Sequence, residues 1–246
     1  MKYSFKQILE SYTPAKKKDT TLWAKVFSRP ISFVLTYILI NLGFSANMVS
    51  IISMFEALLA CSMFIIGGSY LKWGVLLFLI WDVLDCTDGN IARVKKQSSN
   101  VGVFFDAVSG YTAASFIYMS IGVAAFYTSK LLGDNNYYFI IIGATSSILD
   151  LLGRLIYQKY LVTEYKRDSV LTNTSFEVNL STGFLRIANL IMKNLSFSSL
   201  FMPLLIIAFL SNHFDYLIIF YSLYCLGFFS VAIIYFSNKL INSQEI

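Results

Sequence analysis

Charge is what this chain has least of. Only 13% of its 246 residues are charged, against 57% that are hydrophobic, and its mean hydropathy is +0.64. That balance excludes a soluble globular domain and points to a polytopic membrane protein. Histidine is almost missing too: His213 stands alone in a short turn and reads as solvated, not as a metal ligand. The three cysteines (Cys61, Cys86, Cys225) lie in apolar segments without C-x-x-C spacing. They read as small buried hydrophobes, neither disulfides nor zinc ligands. Residues 1–30 lack the early apolar core of a signal peptide and carry Lys2, Lys6, Lys16, Lys17, Lys18, Lys25 and Arg29. Residues 1–19 are therefore expected to be an uncleaved, solvated cytoplasmic tail.

What the chain has in abundance is apolar segments. Residues 20–44 mix Trp23, Phe27 and the run Ile31 to Ile40 with Lys25, Arg29 and Pro30. The apolar part is too short to span, so an N-terminal interfacial amphipathic helix is predicted there. A six-helix transmembrane domain then fits 45–240, giving an all-α integral membrane protein. Its spans are approximately 47–67, 71–92, 102–127, 137–160, 196–212 and 215–237, with Pro203 interrupting the fifth. The stretch Leu161–Leu195 is polar, then weakly amphipathic from Thr182, and reads as a connector. Asn173, Asn179 and Asn194 each begin an N-x-S sequon there, chance matches on a cytoplasmic segment. Every Lys and Arg except Lys72 and Lys130 falls in the tail, the 93–96 loop, the 154–193 region or at Lys239. By the positive-inside rule both termini face the cytoplasm.

The scarce carboxylates gather where lipid is expected. The apolar run Trp73 to Trp81 leads into Asp82, Asp85 and Asp88, and Asp106 lies early in the next apolar segment. An ionised Asp at mid-bilayer costs roughly 2.5–3.5 kcal/mol, so a group of them calls for compensation by bound metal or a charged ligand. Asp85 and Asp88 are i, i+3 neighbours and share a helix face. The polar turn Lys95–Asn100 makes the two segments antiparallel, with Asp88 and Asp106 each nine residues from Gln97 at the tip. Equal distance from the tip means equal depth, so the carboxylates can converge. Hard cations such as Mg²⁺ or Mn²⁺ take carboxylate oxygens and leave positions for substrate phosphates. Gly89 and Ala92 remove bulk beside them. Arg93 adds a positive fork suited to a phosphate.

The run Asp85-Cys86-Thr87-Asp88-Gly89-Asn90-Ile91-Ala92-Arg93, then Gly102 and Asp106, resembles the signature D-x-x-D-G-x-x-A-R, about eight residues, G-x-x-x-D-x-x-x-D. That is the signature of the CDP-alcohol phosphotransferases (CDP-alcohol phosphatidyltransferases), integral membrane enzymes of phospholipid synthesis. Seven of its eight fixed positions match; the last Asp is replaced by Gly110. The resemblance implies transfer of a substituted phosphate from a CDP-alcohol, such as CDP-diacylglycerol, to an acceptor alcohol with release of CMP. It assigns Asp85, Asp88 and Asp106 to Mg²⁺ or Mn²⁺, Gly89, Ala92 and Gly102 to the nucleotide pocket, and Arg93 to the diphosphate. The position of its proposed base is Gly110, and neither Ser109 nor Tyr111 is a convincing substitute. Asp82 is a possible replacement ligand, one turn before Asp85. The resemblance also implies a cytoplasmic site, a CDP-alcohol and lipid as partners, no nucleic acid, and a homodimer.

Two further intramembrane sites stand apart from the motif. Asp150 and Arg154 are i, i+4 on the fourth segment, either a self-neutralising pair or a place where Arg154 meets an acceptor phosphate or headgroup. Glu56 reads as a packing residue of the first span. Beside the active transferase two readings remain, a catalytically silent relative that binds CDP-linked lipid, and a cation transporter. Arg93 and the small-residue pattern count against the transporter.

Overall fold

The computed structural model describes residues 2–96, 99–168, 195–196 and 199–242. Among these residues the chain is helical, without strands. Four helices are long and apolar enough to cross a membrane: Ala46–Ile66, Asn100–Thr128, Gly133–Glu164 and Phe214–Ile241. In chain order the elements are α1 (Phe5–Glu10), α2 (Pro14–Asp19), α3 (Arg29–Asn41), α4 (Ala46–Ile66), α5 (Leu71–Lys95), α6 (Asn100–Thr128), α7 (Tyr138–Asp168), α8 (Phe201–Ser211) and α9 (Phe214–Asn242).

Local chemistry places the ends that matter most. Ser45 caps α4 by accepting from Met48 N, and Ser99 caps α6 by accepting from Gly102 N at 3.0 Å. Lys96 ends α5 in the left-handed region, at φ 50°. Gly67 ends α4 at φ 76°, where Tyr127 leaves no room for a side chain: a Cβ would lie 2.8 Å from its ring.

α4 is central, packed against α5 on one side and α6 on the other; α7 covers α6, and α9 covers α7. The α6–α7 crossing is set by two glycines. A Cβ at Gly122 would meet the Phe139 carbonyl oxygen at 2.4 Å, and one at Gly143 the Tyr118 carbonyl oxygen at 2.4 Å. The core is aromatic. Phe78 stacks on Trp81 at 5.0 Å, and Tyr118 meets both Phe201 and Tyr221, joining α5, α6, α8 and α9. These rings fill the interior, where their large flat faces and edges bridge neighbouring helices.

Several boundaries differ from expectation. α7 runs to Asp168, past the predicted end at residue 160, while the sequons at Asn173 and Asn179 and the rest of that connector to residue 194 lie outside the described residues. Pro203 does not interrupt α8: it sits in the first turn, where a missing N–H breaks no intrahelical bond. α8 has 11 residues, roughly 16 Å of helix, well short of a ~30 Å hydrocarbon core. α5 has 25 residues but, with its acids and bases, is not among the apolar spanning candidates.

The N-terminal segment is no freely solvated tail. Ile8 of α1 is fully buried beside Ile40, and Asn41 exchanges hydrogen bonds with the Tyr3 backbone N–H and C=O. Over 20–44 the chain makes a π-helical turn (Ala24–Ser28) and then α3. Its polarity is inverted. Ser28, Arg29, Ser32 and Thr36 are buried, whereas Leu22, Val26, Ile31, Val34, Ile38 and Leu42 are exposed. A helix with polar residues inward and apolar residues outward suits an apolar surrounding better than water.

Candidate functional site

The first turns of α4 and α6 and the last turns of α5 enclose a cavity of about 370 Å³. Each helix reaches it for a reason already present locally. The Ser45 and Ser99 caps start α4 and α6 at the rim, and the left-handed Lys96 turns the chain across it.

One wall is acidic. Asp88 and Asp106 both line the cavity, the arrangement that their equal distance from Gln97 anticipates. Asp88 is 3% exposed and accepts a 2.6 Å hydrogen bond from Ser50 Oγ, which fixes its carboxylate against α4. Asp85, one turn deeper, is half-buried and does not line the cavity, though it feels the charges of Asp88, Asp106 and Asp82. Among the described residues, no three His, Cys, Asp or Glu converge closely enough to hold a metal ion. The donor set still fits a hard divalent cation of the Mg²⁺ kind. Such an ion keeps several waters and takes one or two carboxylates, the rest coming from substrate phosphates. Two carboxylates on facing helices, open to one cavity, meet that description; a closed protein cage is not built here.

The same cavity also carries basic groups, tightly spaced. Arg93 and Lys96 line it. Arg93 folds back over Gly89, so a Cβ at 89 would lie 3.3 Å from its Nη1. Gly102 has a similar neighbour, with a Cβ there 3.2 Å from Asn47 Oδ1. Small residues at 89 and 102 thus admit the side chains of Arg93 and Asn47 to the wall, and Ala92 completes the surface. Ser50 and Asn47 escaped the sequence reading as site residues. A lone hydroxyl or amide in the first turns of an apolar helix usually satisfies its own backbone, and Ser50 also does so through Ala46 O at 3.2 Å.

Other residues singled out in the sequence lie elsewhere. Asp82 is no replacement ligand: it is 2% exposed and accepts from Trp23 Nε1 at 3.0 Å and from Ser28 Oγ, anchoring the N-terminal segment to α5. Arg154 Nε donates to Asp150 Oδ2 at 2.6 Å within α7, and neither residue lines the cavity. Glu56 is half-buried and also outside it. Gly110 follows Asp106 by one turn of α6, and a Cβ there would meet nothing within 4 Å. Ser109 beside it is taken by Ser53, Oγ to Oγ at 2.8 Å.

No curated protein matches the chain. A family model, described as CDP-alcohol phosphatidyltransferase, matches residues 44–211. Every cavity residue named above, from Asn47 to Asp106, falls inside that stretch, which covers well over half of the protein. An apolar helical chain whose carboxylates and guanidinium share one cavity within the matched segment leaves a single conclusion: this protein belongs to the CDP-alcohol phosphatidyltransferase family.

Proposed function

We propose that the protein transfers a substituted phosphate group from a CDP-alcohol, such as CDP-diacylglycerol, to an acceptor alcohol in phospholipid synthesis and releases CMP. The observation that carries the reading is the two-signed cavity. Asp88 and Asp106 supply negative charge to it, and Arg93 and Lys96 supply positive charge. A diphosphate with accompanying cations needs both signs within a few ångströms.

Asp88 and Asp106 in the cavity, with Asp85 behind them, would hold Mg²⁺ or Mn²⁺. Bound divalent ions supply charge neutralisation on the entering and leaving oxygens of a displacement at phosphorus. Arg93 binds a diphosphate oxygen, and the low bulk at Gly89, Ala92 and Gly102 lets the nucleotide approach the helix backbones. The acceptor hydroxyl forms a new O–P bond at the phosphorus next to the alcohol. The bond from that phosphorus to the bridging oxygen breaks, and CMP leaves with the electron pair. With glycine at 110, no carboxylate one turn beyond Asp106 takes the hydroxyl proton, so it passes to cavity water. In the membrane, α4 to α7 and α9 serve as spans, the short α8 enters only part of the bilayer, and α3 lies along the interface. Both termini and the cavity face the cytoplasm, and the chain pairs as a homodimer.

A second reading, a catalytically silent binder of CDP-linked lipid, is favoured by the empty space at Gly110. Cation transport is disfavoured by the basic wall. The test is release of CMP from labelled CDP-diacylglycerol in detergent with Mg²⁺ or Mn²⁺, run against acceptors including glycerol phosphate, inositol, inositol phosphate and serine. Release that needs the divalent ion and disappears in Asp88→Asn supports the transferase. CDP binding without release supports the silent binder. A chain that binds no CDP at all overturns both.

A further inference from the structure

Arg29 lies outside the segment that matches the family, at the start of α3, and is 8% exposed. Its Nη1 donates to Asn90 Oδ1 at 3.0 Å, and Arg93 Nη2 donates to that same oxygen at 2.6 Å. The Nε atoms of both arginines are buried without a hydrogen-bond partner. Among the described residues no carboxylate lies within ion-pair distance of either guanidinium. Asn90 offers no charge in return. It is fully buried, and its amide nitrogen donates to Ser32 Oγ and Thr36 Oγ1, so it cannot reorient.

Two like charges, Arg29 buried and Arg93 half-buried, share one neutral acceptor, repel each other and leave strong donors unused. The charge of Arg29 reaches Asp82 and Asp85, and that of Arg93 reaches Asp88, but none of these acids bonds to either guanidinium; Asp82 accepts from Trp23 and Ser28, and Asp88 from Ser50. An oxyanion with several oxygens relieves both defects together, because a guanidinium offers Nε and Nη as a planar fork. Arg93 lines the cavity, so the route to the pair runs through it.

We propose that Arg29 and Arg93 form a phosphate-binding pair, with the N-terminal segment contributing the second guanidinium to the site. This rests on the reading that the cavity takes a phosphorylated substrate. The ligand is a phosphate ester or diphosphate oxyanion, carried by the CDP-alcohol or by a phosphorylated acceptor. In the segment before α3, Tyr12 holds its ring 5.4 Å from the Arg29 guanidinium.

The test uses the full chain in detergent and titration calorimetry with inorganic diphosphate in the absence of divalent metal. Three variants are compared with wild type: Arg29→Gln, Arg29→Lys and Asn90→Asp. Arg29→Gln is expected to weaken diphosphate binding by about tenfold or more, as for a lost charge-assisted hydrogen bond. Arg29→Lys retains the charge but not the fork, and is expected to weaken it less. Asn90→Asp places a carboxylate between the two guanidiniums. It should weaken diphosphate binding while leaving the melting temperature unchanged or higher, a combination that a merely structural role for Asn90 and Arg29 does not give. Repeating the titrations with CDP and with glycerol phosphate identifies the source, as the ligand whose affinity depends on Arg29.

Wild type that fails to bind diphosphate, or folded Arg29→Lys and Asn90→Asp chains that bind it as wild type does, would overturn the proposal. If CDP with Mg²⁺ does not bind but diphosphate binding still depends on Arg29, the transferase reading falls and the phosphate site stands. If diphosphate, CDP and glycerol phosphate each bind equally to all the folded variants, the phosphate pair falls, and the transferase reading stands so long as CDP binds with Mg²⁺.

Discussion

Ser50 Oγ donates to Asp88 Oδ2 at 2.6 Å across the α4–α5 interface, and both residues line the same cavity. A neutral hydroxyl from the neighbouring helix therefore fixes one carboxylate of the acidic wall. Ser50→Ala removes that support without changing charge. The expected outcome is a chain that folds normally and binds CDP in the presence of Mn²⁺ about tenfold more weakly, as for a lost hydrogen bond to a charged group. Calorimetric titration of wild type and variant checks this, and equal affinities would remove Ser50 from the site.

Asp82 gives the opposite expectation. Its carboxylate holds Trp23 and Ser28, and it does not line the cavity. Asp82→Ala leaves the buried Ser28 hydroxyl and the half-buried Trp23 N–H without their acceptor, at about 1–3 kcal/mol for a fully buried group and less for the other. The N-terminal segment should become more sensitive to limited proteolysis, and the melting temperature should fall. Mn²⁺ binding, followed by electron paramagnetic resonance, should persist. Loss of the Mn²⁺ signal at unchanged stability would return Asp82 to the metal site.

Position 110 is sterically permissive, since a Cβ there meets no atom within 4 Å. A carboxylate one helical turn from Asp106 can take the proton that glycine cannot, and such base catalysis contributes about 10²–10⁴-fold. Gly110→Asp is expected to raise CMP release from CDP-diacylglycerol by at least about a hundredfold, with little change in melting temperature. A variant that folds and binds CDP yet releases CMP no faster than wild type argues against a missing base at this position.

The α6–α7 crossing tolerates no added atom. A methyl at Gly143 would sit 2.4 Å from the Tyr118 carbonyl oxygen, a backbone atom that cannot turn aside. Gly143→Ala should cost about 1–3 kcal/mol through forced helix separation, more than the helix-propensity gain of alanine returns. Thermal unfolding in detergent provides the check. A melting temperature equal to wild type would mean that the helices separate without penalty.

Much of the site could be read along the chain, because its determinants are local. Serine at 45 and 99 sets where α4 and α6 begin. The polar turn after Lys95 makes α5 and α6 antiparallel, and the equal distances of Asp88 and Asp106 from that turn bring both to one cavity. Spacing and periodicity belong to single helices and survive in the sequence. The purpose of the small residues was less legible: Gly89 and Gly102 make room for the side chains of Arg93 and Asn47, and neither contact has a fixed sequence distance.

The sequence by itself determined an apolar helical chain with a carboxylate motif at the turn between two of its helices. Those features follow from composition, capping residues and intervals of three and four. Only the tertiary structure decided what each polar group faces. It gave Asp82 to the N-terminal segment, brought Ser50 to Asp88, and set Arg29 beside Arg93 on one amide oxygen. The reason is rotational. A helix fixes which residues share a face, but the neighbour that face meets depends on how every other helix packs.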